Sequence, residues 1–130
     1  MVLNDPLANV LSAILNAETR GKRDCLLKPV SKVIKKVLEI MQDNHYIGSI
    51  EEKETSSGKI IKANLIGNIN KCGVIKPRYS VNKDGYEKFE KRYLPAQGFG
   101  IIIVSTSTGI MIHEDAKKKK IGGKLLLYCY

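Results

Sequence analysis

Apolar residues never run for more than six positions in this chain; the longest stretches are Ile101 to Val104 and Leu125 to Tyr130. A helix that crosses a bilayer needs about 20 consecutive apolar residues, so no membrane span is expected. Runs this short suit buried β-strands, and the remaining apolar residues must reach a core by recurring at helix or strand spacing. Hydrophobic residues make up 43% of the 130. That is enough for one domain or two small lobes, and too much for a disordered tail.

Two amphipathic helices are predicted in the first half. Asp5 is a cap and Pro6 suits a first helical position. Leu7, Val10, Leu11, Ile14 and Leu15 then share one face, and Gly21 is a stop inside the basic turn of Arg20, Lys22 and Arg23. Cys25 to Val30 reads as a short strand that Pro29 confines to an edge. Ser31 caps a second helix with Val33, Ile34, Val37, Leu38 and Met41 inward and Lys32, Lys35 and Lys36 outward, ended by Asn44 and His45. Strands over Tyr46 to Glu54 and Lys59 to Ile66 flank a hairpin turn at Thr55-Ser56-Ser57-Gly58.

The polar stretch Asn68-Ile69-Asn70-Lys71-Cys72-Gly73 is the candidate boundary. Beyond it, Val74 to Val81 is extended around Pro77, and Asn82 to Leu94 forms a charged helix with Tyr86, Phe89 and Tyr93 on one side. Strands follow at Ile101 to Ser105 and Ile110 to Ile112. A brief helix over Glu114 to Lys120 places acids first and lysines last, as the helix dipole favours. Gly122-Gly123 is expected to break that helix before a closing strand from Lys124 to Tyr130. The fold class expected is α+β with two small lobes. Residues 1–67 form an N-terminal α/β lobe of α-β-α-β-β order, and residues 68–130 a C-terminal, mostly β lobe with short helices.

Against 13 acids stand 22 lysines and arginines, a net charge of +9. A folded domain this basic is drawn to polyanions, because neutralising phosphates releases condensed counterions. Membrane surfaces and acidic proteins attract the same charge, so charge alone does not name nucleic acid. The three cysteines, Cys25, Cys72 and Cys129, are widely spaced and odd in number. They suggest neither a disulfide framework nor a zinc cluster, and reduced thiols are expected. With no basic or apolar leader pattern after Met1, a soluble intracellular protein is expected.

The sharpest constellation is Ser105-Thr106-Ser107-Thr108-Gly109, four hydroxyls where a buried strand ends. Hydroxyls donate and accept at once, which suits ribose 2′-hydroxyls and base edges in the shallow minor groove of RNA. Ordinary turn chemistry, with hydroxyls bonded to local backbone, is the plain alternative. Side-chain alternation places Ser105 and Ser107 on one face and Thr106 and Thr108 on the other. Nucleophilic catalysis would need a base near these serines, and only His45 and His113 exist. Neither belongs to a Gly-x-Ser-x-Gly elbow, and a histidine at a helix start, as His113 is, is read as surface decoration. Gly98-Phe99-Gly100 precedes a strand and lacks a third glycine, so it is no dinucleotide fingerprint. No metal site, cofactor or enzymatic activity is expected.

Basic residues cluster at Arg20, Lys22 and Arg23; at Lys32, Lys35 and Lys36; at Lys76 and Arg78; and at Lys117 to Lys120 with Lys124. Each run alone reads as a solvated face. Several adjoin small residues, Ser31 beside Lys32 and Gly122-Gly123 before Lys124. Glycine lets a phosphate backbone come close while the ammonium groups hold it.

In order along the chain, Asp5-Pro6-Leu7-Ala8-Asn9, Lys28-Pro29, Ser31-Lys32, Tyr46-Ile47-Gly48, Gly67 through Gly73, and Lys76-Pro77-Arg78-Tyr79 resemble one known family. Tyr93-Leu94-Pro95, Phe99-Gly100, Val104-Ser105-Thr106-Ser107, Gly109, His113-Glu114-Asp115-Ala116 and Gly122-Gly123 continue the match. The family is the universal S-eight group of small-subunit ribosomal proteins (S-eight in bacteria, fifteen-A in eukaryotes), and the resemblance covers essentially the whole chain. The segment from Gly85 to Ala96 looks most like archaeal members.

The resemblance implies a non-enzymatic, primary RNA-binding protein of the small ribosomal subunit, working in the cytoplasm beside neighbouring small-subunit proteins. It would recognise a helix with an irregular internal loop in the central domain of small-subunit RNA and aid its assembly. Ser105, Thr106 and Ser107 carry over as central contacts, with Gly109, Gly122, Gly123 and Lys124 on the same surface. Ser31 and Lys32 carry over in the first lobe, and Arg78 and Tyr79 in the second. Bacterial relatives have an acidic residue where this chain has Lys124, so a contact needing a carboxylate there does not transfer. An alternative role is repression of translation, by binding the protein's own messenger RNA where it imitates the ribosomal site.

Overall fold

The computed structural model of the chain describes residues 6–27, 32–56, 58–75, 79–96 and 99–130. The caps expected at Asp5 and Ser31, the strand residues Lys28, Pro29 and Val30, the turn residue Ser57, the Lys76-Pro77-Arg78 segment and Gly98 lie outside them. The chain divides into two compact units between Ile69 and Asn70.

In the first unit, α1 spans Pro6–Thr19 and buries Leu7, Val10, Leu11 and Ile14 as its periodicity demands, with Ala17 extending the stripe. The helix ends in a Schellman motif: Gly21, at φ +72°, donates to Glu18 O, and Lys22 N–H reaches Ala17 O. Glycine takes that left-handed conformation without a Cβ clash. The strand β1 (Asp24–Leu27) leads to α2 (Lys32–Asp43). The second helix buries Ile34, Val37, Leu38, Ile40 and Met41, while Val33, expected inward, is 40% exposed. Helical side chains lean toward the N-terminus, so a first-turn residue projects past the packed part of its helix. His45, at φ +64°, closes α2 as Gly21 closes α1.

The hairpin β2 (Ile47–Thr55) and β3 (Gly58–Leu65) completes an antiparallel sheet of order β1-β3-β2, with β1 at an edge. Cys25, Leu27, Ile47, Ile61, Ala63 and Leu65 are its buried residues, and α1 and α2 pack on the sheet. Val37 is fully buried. Val37→Ala is expected to cost about 2 kcal/mol, seen as a lower denaturant midpoint at unchanged slope.

The second unit runs β4 (Cys72–Val74), β5 (Ser80–Val81), α3 (Tyr86–Tyr93), β6 (Ile101–Thr106), β7 (Gly109–Ile112), α4 (His113–Lys119) and β8 (Gly123–Cys129). Its antiparallel sheet has the order β4-β8-β6-β7, and β5 pairs with the other end of β8. Ile101 to Val104 are all buried, because β6 is a central strand. Tyr86 and Phe89 of α3 and Ala116 of α4 join Ile102, Val104, Met111 and Leu125 in one core cluster. The third helix is shorter than its charge pattern suggests. Asn82 to Gly85 form a turn closed by Gly85 N–H to Asn82 O, and Tyr93 is only half-buried. The paired glycines do not break α4. Lys120 does, at φ +56°, with Lys120 N–H bonded to Lys117 O and Ile121 N–H to Ala116 O.

Candidate nucleic-acid interface

The hydroxyl run occupies a tight hairpin. Thr106 on β6 faces Gly109 on β7, and Ser107-Thr108 is the two-residue turn between them. Gly109 sits at φ +128°, open to solvent, so conformation and not space calls for glycine there. The Thr106 hydroxyl donates to Gly109 O at 2.6 Å and accepts from Thr108 N–H at 3.3 Å. It lies 3.2 Å from the Thr108 hydroxyl, which must be the donor, since Thr106 has one proton and has spent it on Gly109. Thr106 therefore holds the turn. Ser105 and Ser107 are exposed, and no hydrogen bond among the described residues engages either hydroxyl. Turn chemistry and ligand chemistry, rival readings of the same run, fall on different residues.

Strand register sets what stands beside Ser105. Its cross-strand partner on β8 is Lys124, whose partner on β5 is Ser80; all three are exposed. Directly opposed residues share a face of the sheet, so Ser80, Lys124 and Ser105 form one polar row. The next row is Val81, Gly123, Thr106 and Gly109. A Cβ on Gly123 would lie 2.4 Å from Ser105 O, and one on Gly122 only 2.2 Å from Val81 O. Close packing of three strands demands both glycines, whatever else the surface does.

The lysines of α4 are not equivalent. Lys117 is paired with Glu90 of α3 and is held there, while Lys118, Lys119 and Lys120 are exposed with no ion pair among the described residues. Glu90 also faces His113 Nε2 at 3.3 Å, and the Ile102 amide donates to His113 Nδ1 at 3.1 Å. His113 is thus a buried strut joining β6, α4 and α3, which corrects its reading as surface decoration. Burial pushes its imidazole below the usual histidine range, although Glu90 and Glu114 pull the other way. A nitrogen that accepts from an amide must be unprotonated, so the other nitrogen carries the proton toward Glu90. Both nitrogens are committed, and His113 has none to offer the serines as a base.

Tyr79 is half-buried against Phe89, ring centroids 5.3 Å apart, with the Arg92 guanidinium 5.6 Å above its ring. The same guanidinium lies 5.5 Å from the Tyr93 ring. Lys32 is exposed at the start of α2, in the first unit. Ser31 and Arg78 lie outside the described residues. Sequence reading missed Ser80 and Arg92. No local pattern marks Ser80, whose place depends on a strand 44 positions away, whereas Arg92 stands among Tyr86, Phe89 and Tyr93, three aromatics at helical spacing, and is legible from them.

Among the described residues, no three His, Cys, Asp or Glu side chains are grouped to hold a metal ion, and no helix is long and apolar enough to cross a membrane. A hydroxyl-tipped hairpin beside exposed lysines can bond sugars and bases while neutralising phosphates. The family model of Ribosomal protein S8 matches residues 5–130, nearly the whole chain, and this protein belongs to that family of small-subunit ribosomal proteins, which bind ribosomal RNA.

Proposed function

We propose that the face formed by Ser80, Lys124, Ser105 and the Ser107 turn recognises an irregular internal-loop helix in the central domain of small-subunit ribosomal RNA, and that the protein aids assembly there. Ser105 and Ser107 meet its shallow minor groove; Gly109, Gly122 and Gly123 keep the backbone low beside them. Residues 68–130 are the RNA-binding lobe in this reading, with Arg78 and Tyr79 as further contacts from it and Ser31 and Lys32 as contacts from residues 1–67. The observation that carries it is the pair of exposed, uncommitted serine hydroxyls at a tip whose threonine is already used. Work in the cytoplasm, within the small subunit, follows from the same reading.

Base and ribose contacts depend on RNA shape, whereas phosphate contacts are nearly indifferent to it. Ser107→Ala is therefore expected to weaken binding to the cognate internal-loop helix about tenfold, at roughly 1 to 3 kcal/mol per missing bond, and to leave an unrelated duplex unaffected. Replacing Lys118 and Lys119 with Gln should weaken both RNAs alike. It should also flatten the dependence of log affinity on log salt by up to about 0.9 for each phosphate no longer neutralised, a value taken from DNA. Paired titrations measure both effects. Equal weakening on both RNAs for Ser107→Ala would move specificity away from the hairpin. Chemical footprinting on full-length small-subunit RNA tests the location. A messenger RNA that imitates the site would use the same face, and competition between the two RNAs tests that regulatory role.

A further inference from the structure

The strand pairing juxtaposes two groups that the RNA face does not use. Cys72 on β4 and Cys129 on β8 are direct cross-strand partners. The adjoining pair, Lys71 and Tyr130, exchanges both backbone bonds: Lys71 N–H to Tyr130 O and Tyr130 N–H to Lys71 O, each 2.9 Å. Hydrogen-bonded and non-hydrogen-bonded pairs alternate along an antiparallel ladder. Cys72 and Cys129 therefore occupy a non-hydrogen-bonded pair, where α-carbons come within about 4.5 Å and side chains are closest. Disulfides span α-carbons about 4.4 to 6.8 Å apart, so this pair has the backbone spacing that a disulfide requires.

We propose that Cys72 and Cys129 are a dithiol that a low-molecular-weight disulfide, of the oxidised glutathione type, converts into a cross-strand disulfide fastening β4 to β8. The order of attack follows from position. Cys129 lies on the interior strand β8, fully buried, and burial together with the neighbouring Cys72 pushes its thiol far up. Cys72 is on β4, a three-residue edge strand that can open locally. The Cys72 thiol loses its proton and attacks one sulfur of the oxidant, forming a mixed disulfide and releasing one small thiol. Cys129 then gives up its proton and attacks the Cys72 sulfur, forming the Sγ–Sγ bond and expelling the second small thiol. Two cysteines are oxidised and one disulfide is reduced to two thiols, so electrons and protons balance. Cys25 lies opposite Ala63 on β3 and has no cysteine across the strand.

The test is exposure of the folded full-length chain to a series of glutathione redox ratios, followed by alkylation and peptide mass mapping. The expected product is lighter by about 2 Da, links the tryptic peptides beginning at Cys72 and at Leu125, and leaves Cys25 alkylated. Amide exchange at Lys71 and Ile75, bonded to the carbonyls of Tyr130 and Leu126, should slow about tenfold in the linked form. In Cys129→Ser the second step cannot occur, and Cys72 should instead retain one glutathione. Any of three results in the unmutated protein would overturn the proposal: both thiols staying alkylatable at every ratio, both ending as separate mixed disulfides, or linkage through Cys25.

Discussion

Gly122→Ala should destabilise the second unit by about 3 kcal/mol, in the protein alone and before any RNA is added. The new methyl would lie 2.2 Å from Val81 O and 3.1 Å from the Asn82 α-carbon, and both obstacles are backbone. A flexible side chain could swing aside, but a strand can yield only by giving up its pairing. Here that pairing is Val81 with Gly123 and Ser80 with Lys124. Gly123→Ala meets Ser105 O at 2.4 Å and should act similarly through β6. Five of the six tyrosines lie in the second unit, so tyrosine fluorescence during denaturation reports on it directly. Read for phosphate approach alone, the glycines would lower RNA affinity when changed and leave stability intact. An unchanged unfolding midpoint for Gly122→Ala would restore that reading.

That case illustrates what a linear sequence discloses. Local periodicity located α1 and α2 because one helix face must be apolar over several turns, and Gly21 marked a real stop because few residues tolerate a left-handed cap. His45, where the second helix is expected to end, does the same for α2, and Lys120 does it for α4 with a side chain that carries no such mark. Surrounding contacts outweigh a preference of about 1 kcal/mol there. The Asn82 to Gly85 turn was absorbed into α3 because charged residues around it read equally well as an exposed helical face.

The site was legible as residue types and illegible as an arrangement. Four hydroxyls before a glycine announce a turn with polar chemistry, and the family resemblance selects the same residues. Which hydroxyls are spent on the turn depends on bonds among Thr106, Thr108 and Gly109 that close only in the folded hairpin. The row of Ser80, Lys124 and Ser105 is a matter of register among three strands, and register is a long-range property. Two of the four consecutive lysines look identical in sequence, yet Lys117 answers Glu90 and Lys118 answers solvent.

Removing the His113 imidazole should cost the second unit about 2 to 4 kcal/mol near neutral pH, because it strands the buried Ile102 amide and unties Glu90 from β6. The pH dependence follows from which state holds the proton more readily. Burial lowers the folded-state pKa of His113 below its ordinary 6.5, so the unfolded chain takes up the proton first as pH falls. Its contribution is fully present above about pH 6.5 and declines below that, because protonation also removes the acceptor that Ile102 uses. The intact protein should therefore lose second-unit stability from about pH 6.5 toward pH 5. His113→Gln should lack that part of the slope while keeping an acceptor for the amide and losing less at neutral pH than His113→Ala. His45→Asn is the control, because asparagine tolerates the left-handed backbone that His45 adopts. Denaturant titrations at three pH values distinguish these cases. If His113→Gln retains the full acid slope of the intact protein, the titrating group lies elsewhere and the histidine is a packing element only.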